Sequence, residues 1–383
     1  LMKTKAEVVI IGAGIVGSSI AYNLAKKGCK DVIVLEKEPY FAAWSTGKAA
    51  GGIRAQFANE INIKISIWSE NILEKFSQEM ECDAAFDQVG YLFLLSQEED
   101  WKNFKKNAAR QQSLGLPVHL LTPEEVNKLV PELKTDDLLG ATFCKKDGLV
   151  DPYEFCMGYV NQAKQLGVTF EMETEMTGME LSDKKISKVK THKGEIEAKI
   201  VVNAAGAFAT QIGKMVGIDI PVYPLKRQIT HTSPLEYLKT NFPMIVDFHS
   251  GLYMHKESGG LLLGWADKNT QPGYDLYVDP DYTDQILIKA LERMPILENA
   301  QISSSWAGLY ETTPDNNAIL GKVPEVEGFY LANGFSGHGV MHAPAVGILM
   351  AELILEGKTS IDISELSIER FKKGDLKVER NVI

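Results

Sequence analysis

Three glycines and one carboxylate near the start of the chain have the types and spacing to hold a dinucleotide. Gly12, Gly14 and Gly17 fall at G-x-G-x-x-G spacing in GAGIVG, and Glu36 follows 19 positions after Gly17. Each has a physical task. Gly12 makes a tight turn, Gly14 lets a pyrophosphate reach the backbone, and Gly17 lets a helix pack closely on a strand. Ile15 and Val16 open that helix, whose N–H groups and positive end suit phosphate. Glu36, followed by Lys37, accepts hydrogen bonds from ribose hydroxyls and repels a 2′-phosphate.

Three further segments carry candidate chemistry. Ser45 to Arg54 (STGKAAGGIR) holds Ser45, Thr46, Lys48, Gly51, Gly52 and Arg54. Val201 to Gly206 (VVNAAG) ends in Ala205 and Gly206. Gly334 to Met341 (GFSGHGVM) brings Gly334, Gly337, His338, Gly339, Val340 and Met341, with His342 next. A glycine loop before a helix can lie against a flat ring, and the helix dipole then stabilises negative charge at its edge. His338 and His342 read either as structural histidines or as proton carriers. Tyr253 and Tyr310 read as pocket walls.

The elements that must position these groups follow from the pattern. Glu7 to Ile11 and Asp31 to Leu35 read as buried parallel strands flanking a helix from Ile15 to Lys27, a βαβ unit. Residues 41–58 read as a long loop. Helices are predicted at 60–79, 98–114, from Thr122 (a capping box in TPEE), at 151–166, 282–293 and 341–355. Strands are predicted at 90–95, 168–172, 200–204, 222–232, 252–255, 261–264, 302–310 and 329–332. Alternation of parallel and antiparallel-looking stretches predicts two interleaved domains. The expected division is 1–82, 140–220 and 310–383 for an FAD-binding domain, and 83–139 and 221–309 for a substrate domain. The fold class is α/β, with a Rossmann-type FAD-binding domain interleaved with a mixed-sheet α+β substrate domain.

Composition narrows the field. The chain has 383 residues, 45% hydrophobic and 24% charged, with net charge −11 and no basic stripe, which argues against nucleic-acid binding. Apolar runs are short and glycine-broken, so no transmembrane segment is expected. The first strand begins at Val8, so no secretory leader is expected either. Cys29, Cys82, Cys144 and Cys156 show no C-x-x-C or metal spacing. Together these point to a cytoplasmic protein with reduced thiols and no metal.

With the fingerprint, the three segments make the chain resemble the D-amino-acid-oxidase-like flavoenzymes. Within them it looks most similar to the β subunits of hetero-oligomeric sarcosine oxidase and L-proline dehydrogenase. The resemblance spans nearly the whole chain, and GFSGHGVMHAP with the preceding YETTPD is its most specific part. It implies oxidation of a secondary amino acid, first of all L-proline, to its imine by hydride transfer to flavin N5. It implies Arg54 on the substrate carboxylate, Lys48 on FAD or on that carboxylate, and Met176 beside the adenine. Gly308 stands where related oxidases attach FAD through a cysteine, so the FAD is expected to be non-covalent. Leu262 stands where oxidases place an oxygen-activating lysine, and Met341 where they place a carboxylate-binding one. That predicts a dehydrogenase passing electrons to a partner. The resemblance implies an α subunit and other subunits, and leaves room for an FMN at a subunit interface, although its covalent histidine falls near Pro152. Three alternatives stay open: a sarcosine- or glycine-type oxidase, a 2-hydroxy-acid dehydrogenase on the same fold, and a non-catalytic FAD-binding subunit.

Overall fold

A computed structural model describes residues 3–382 and contains two large sheets. The first is built on the predicted βαβ unit. Lys5–Ile11 pairs in parallel with Val32–Leu35 on one side and with Gly194–Asn203 on the other. Thr169–Glu171 and Phe329–Asn333 extend it in parallel, and Ile319–Lys322 closes one edge antiparallel. These strands are almost continuously apolar because both faces of the sheet are covered: Val8 and Ile10 pack in one apolar cluster, Val9 and Ile11 in another. The charged stretch between 172 and 200 forms a pair of strands, Met176–Ser182 and Lys185–Thr191, folded onto Gly194–Asn203.

Helix Ile15–Lys26 runs across the sheet between Pro152–Gln165 and Gly339–Glu356. Gly339–Glu356 is long and apolar enough to cross a membrane by length and composition. Here it is a core helix, with Met341 to Gly347 and Leu349 to Ala351 buried. Its approach to Ile15–Lys26 is set by Gly347, where an added Cβ would lie 2.1 Å from the Ser19 hydroxyl oxygen. Ser19 also donates to the carbonyl of Ala343 (2.8 Å).

The second sheet has eight strands in the order Ile302–Thr312, Tyr223–Thr232, Gly260–Trp265, Leu252–Glu257, Met244–Asp247, Tyr91–Leu95, Gly140–Cys144 and Val118–Leu121. All pairs are antiparallel except Met244–Asp247 with Tyr91–Leu95. Helices Pro280–Arg293 and Pro123–Leu129 cover one face, and aromatic residues dominate the other. Two expected boundaries shift. Gly140–Cys144 belongs to this second sheet as the partner of Tyr91–Leu95, although 140 was expected to reopen the FAD-binding domain. The boundary at 309/310 falls inside one unbroken strand, Ile302–Thr312.

Helix 60–79 is interrupted, giving Glu60–Leu73 and Phe76–Met80. Loop 41–58 contains a short strand, Gly52–Ile53, paired with Gly148–Leu149. After the last helix, Glu369–Lys373, the chain returns to the interior: Glu379 and Asn381 are buried. Arg370 locks this return by a bidentate pair with Asp315 (2.8 and 3.0 Å), both inaccessible to solvent.

Replacing Gly347 with Ala should force the two central helices apart and lower stability by about 1–3 kcal/mol, read as a shifted denaturant midpoint. An unchanged midpoint would mean that Ser19 moves aside at no cost.

Candidate active site

One elongated cavity runs between the two sheets and collects most of the predicted site residues. At its first end stands the fingerprint. Gly12 has φ +107°, and a Cβ there would lie 2.5 Å from the Ala204 carbonyl oxygen; one at Gly17 would lie 2.0 Å from that of Gly12. Only glycine fits at either position. Helix Ile15–Lys26 starts with no side-chain cap on Gly14 and no acidic residue in its first turn. One N–H, that of Ile15, is taken by the Thr46 hydroxyl (3.1 Å). The positive helix end is otherwise left for an anion.

Glu36 projects from the end of the second strand, nearly buried. Its carboxylate is fixed by the N–H groups of Ala13 (2.9 Å) and Glu38 (3.0 Å). Burial raises its pKa above the usual carboxylate value, against those two bonds. Lys37 lies 3.7 Å from the Phe208 ring centroid and 4.4 Å from that of Trp44. With Met176, Ala205 and Gly206 they form a flat-walled slot beside Glu36. These residues fit an adenosine diphosphate: glycines where a phosphate must reach backbone, a helix end for its charge, an oriented carboxylate for the ribose, and apolar walls for the base. Trp44 and Phe208 were not singled out from the sequence.

At the other end the walls come from both sheets. Gly51, Gly52 and Lys48 line it, with Ser45 anchored to the carbonyl of Leu309 (2.7 Å) and the Trp306 indole donating to that of Lys48 (3.1 Å). Gly308 also lines it; a Cβ there would meet the Lys48 Cβ at 3.0 Å. The loop after Phe329–Asn333 supplies Gly337, His338, Gly339, Val340 and Met341. Gly337 has φ +92°, and a Cβ there would lie 2.6 Å from the Tyr310 ring, so the loop lies directly on that tyrosine. Both predicted tyrosines line the cavity, Tyr253 buried and Tyr310 half-buried, and desolvation raises the pKa of both phenols.

Arg54 is the central charge of this end. It is 3% exposed and lies 4.0 Å over the ring of Phe57. Its Nη1 donates to the carbonyl of Gln56 (3.0 Å) and its Nη2 to that of Asn381 (2.6 Å). Among the described residues, no carboxylate lies within ion-pair distance of it. Burial lowers its pKa, partly offset by the fields of Tyr91, Glu379 and Asp147. A guanidinium this deep, facing a cavity and bonded only to neutral carbonyls, is a binding site for an anion.

Some predicted residues are not brought to the cavity wall. His342 lies one helical turn beyond His338, and that turn points it at helix Glu60–Leu73. There its Nε2 is 2.9 Å from the Ser66 hydroxyl and its ring packs on Phe57. Burial, then the field of Arg54, pushes its pKa down to about 3, so it is a neutral structural group and no proton carrier. Gly334 sits behind the loop, its N–H bonded to Glu311 (2.9 Å). Leu262 packs in the apolar cluster with Tyr253 and Ile229 and does not line the cavity. His338 does line it, with its pKa held well below the usual histidine range by burial, and its Nε2 has no partner among the described residues.

The sequence reading also passed over Tyr91, Arg227 and Glu311, all of which line the cavity. Tyr91 stands at the start of a central strand. Arg227 sits in Tyr223–Thr232 two places before Ile229, and both reach the cavity. A cation within an otherwise apolar alternation is the signal that could have found it. Glu311 follows Tyr310, and burial pushes its carboxyl up to about 7 against the N–H bonds from Gly334 and Phe335.

A slot shaped for an adenine dinucleotide, running into a pocket with an unneutralised buried guanidinium, suits redox chemistry on a small anionic substrate. Fold and site together define a dinucleotide-dependent oxidoreductase. The chain belongs to the family described as DAO, FAD dependent oxidoreductase, which it matches over residues 7–353. It is 32% identical to the mitochondrial dimethylglycine dehydrogenase of Rattus norvegicus over 391 residues. That match covers 97% of this chain and 45% of the relative, so the chain spans a little under half that relative's length. It is similar in structure to L-proline dehydrogenase from P. horikoshii, with TM-score 0.93, 38% identity, and 98% and 100% of the two chains covered. Glycine oxidase from Geobacillus kaustophilus superposes with TM-score 0.87 at 26% identity, covering 96% and 99%. The chain is therefore a member of an FAD-dependent oxidoreductase family, and FAD is the dinucleotide that its slot fits.

Glu311 makes a pH prediction. Its folded-state pKa of about 7 lies above the ordinary 4.5, so the folded flavin-free chain favours the protonated acid. Its contribution is whole below pH 4.5 and is lost as pH rises through about 7. Glu311→Gln should remove that loss, at most about 3 kcal/mol, in urea titrations between about pH 5 and 8. Parallel pH slopes for the two proteins would show that Glu311 ionises freely.

Proposed function

We propose that the protein is a dehydrogenase that oxidises a secondary amino acid, with L-proline the first candidate, to its imine. The observation that carries this is Arg54, a buried guanidinium open to the cavity with no carboxylate of the described residues within ion-pair distance. It binds the substrate's carboxylate through its planar fork. When bound, FAD supplies the two-electron acceptor. The chain's own residues bind, orient and desolvate. Tyr91, Tyr253 and Tyr310 exclude water around the substrate nitrogen, which favours the neutral amine from which oxidation proceeds. Tyr310 fixes the position of the Gly337 loop. His338, neutral and unpartnered, is a hydrogen-bonding group for the cofactor edge rather than a source of charge. The 38% identity to a proline dehydrogenase over essentially the whole of both chains supports this choice among amino acids.

The same reading makes the natural acceptor another protein. The strand position where related oxidases carry an oxygen-activating lysine is Leu262, packed in an apolar cluster. Without a cation there, the charge of a nascent superoxide is poorly stabilised. Electrons then leave through partner subunits, with an interface FMN as the relay in such an assembly. Reduced enzyme should react slowly with oxygen in stopped flow and rapidly with a dye or quinone; fast reoxidation in air would make it an oxidase.

Steady-state assays of L-proline, sarcosine and lactate with an artificial acceptor test the substrate. Arg54→Lys should raise KM for the amino acid by about tenfold or more while flavin content holds, because an ammonium keeps the charge but loses the fork. Kinetics within about twofold of the parent would remove Arg54 from the carboxylate site.

A further inference from the structure

A second guanidinium faces the same cavity, and its environment is stranger than that of Arg54. Arg227 makes one hydrogen bond, a 3.2 Å contact from Nη1 to the carbonyl of Lys226, and its buried Nε–H has no acceptor among the described residues. No carboxylate of the described chain lies within ion-pair distance of it. The adjacent Lys226, by contrast, is paired with Asp275 at 2.8 Å. The cavity's nearest acid, Glu311, is committed to the N–H groups of Gly334 and Phe335. In a chain with 51 acidic residues against 40 basic ones, an unpaired arginine at the cavity wall stands out.

The register explains its openness. Arg227 lies directly opposite Gly308 on the neighbouring strand, so no side chain covers it from that side. Its Cζ lies 5.1 Å from the Tyr310 centroid, which holds the guanidinium plane near the pocket. Leu225, two residues earlier, is paired with Tyr310 itself. Arg54 is nearly inaccessible, whereas Arg227 is partly exposed. The cavity thus has a deep cation and a shallower one, with Tyr310 lining the space they share.

We propose that Arg227 is a specificity-determining residue that binds a second carboxylate of the substrate. Among secondary amino acids, those carrying two carboxylates, that is, N-(carboxyalkyl) amino acids, are then bound more tightly than L-proline, whose single carboxylate engages Arg54 alone. Arg54 takes the carboxylate beside the reacting carbon, and Arg227 takes the distal one with donors that are otherwise unmade. The inference rests on the reading of Arg54 as the carboxylate clamp. A planar fork with unpaired donors in a water-poor cavity matches a carboxylate better than any neutral acceptor.

Two unreactive ethers separate the possibilities, because an ether oxygen replaces the oxidisable nitrogen. Oxydiacetate carries two carboxylates and methoxyacetate one. Each is titrated into the FAD holoenzyme and followed by the change in flavin absorbance. Oxydiacetate should bind at least about tenfold more tightly than methoxyacetate. In Arg227→Met the ratio of the two dissociation constants should fall to about two, the statistical advantage of having two equivalent ends. Equal affinities in the native enzyme would overturn the proposal without reference to any variant. Equal weakening of both ligands in Arg227→Met, or loss of flavin from it, would also overturn it, by placing Arg227 on the cofactor or the first carboxylate. If neither acid perturbs the flavin, the Arg54 reading fails and this inference with it. If oxydiacetate binds preferentially but no amine is oxidised, only the proposed reaction fails.

Discussion

Everything at the reacting end of this molecule is arranged around a positive charge that no carboxylate among the described residues pairs with. Removing a guanidinium from water costs several kcal/mol unless it finds a partner. Arg54 is given two backbone carbonyls and the face of Phe57, which hold its orientation but cancel little of its charge. One of those carbonyls belongs to Asn381, at the far end of the sequence, brought in by the Arg370–Asp315 pair and by Glu379. That carboxylate accepts N–H bonds from Ala58, Asn59 and Asn381 and another from the side chain of Asn62. The acids of the region are thus occupied in tying segments together. The guanidinium is left for a ligand.

The cofactor end solves a different problem, close approach. Its specificity resides in what is missing from Gly12 and Gly17, and in the fixed direction of one carboxylate. Because Glu36 is held by Ala13 N–H at the turn itself, the acid and the glycine loop form one rigid unit. The long cavity joins that unit to the arginine end.

The division between what the sequence reveals and what it hides follows chain distance. The fingerprint, the capping box and the helix of small residues are local patterns and were legible. Arg54 came from the resemblance of its glycine-rich loop to that of related amine oxidases. Strands Val118–Leu121, Gly140–Cys144 and Met244–Asp247 were missed because they are short, and their meaning lies in pairing: the last two flank Tyr91–Leu95, and Val118–Leu121 pairs with Gly140–Cys144. Arg227 and Tyr91 reach the cavity through registers that no single segment encodes. His342 was misplaced for the converse reason. Its motif is local, but which way it faces is decided by helix Glu60–Leu73, packed on it from outside the motif.

The central claim is that the cavity's buried charge is reserved for the substrate's carboxylate. It is tested most directly by a crystal structure of the FAD-loaded protein with L-tetrahydro-2-furoic acid, a proline analogue whose ring oxygen cannot be oxidised as an amine. The account predicts the carboxylate in bidentate contact with Arg54, each oxygen about 2.7–2.9 Å from a guanidinium nitrogen, and the ring walled by Tyr253 and Tyr310. A carboxylate bound elsewhere, with Arg54 still bonded only to the carbonyls of Gln56 and Asn381, would contradict it.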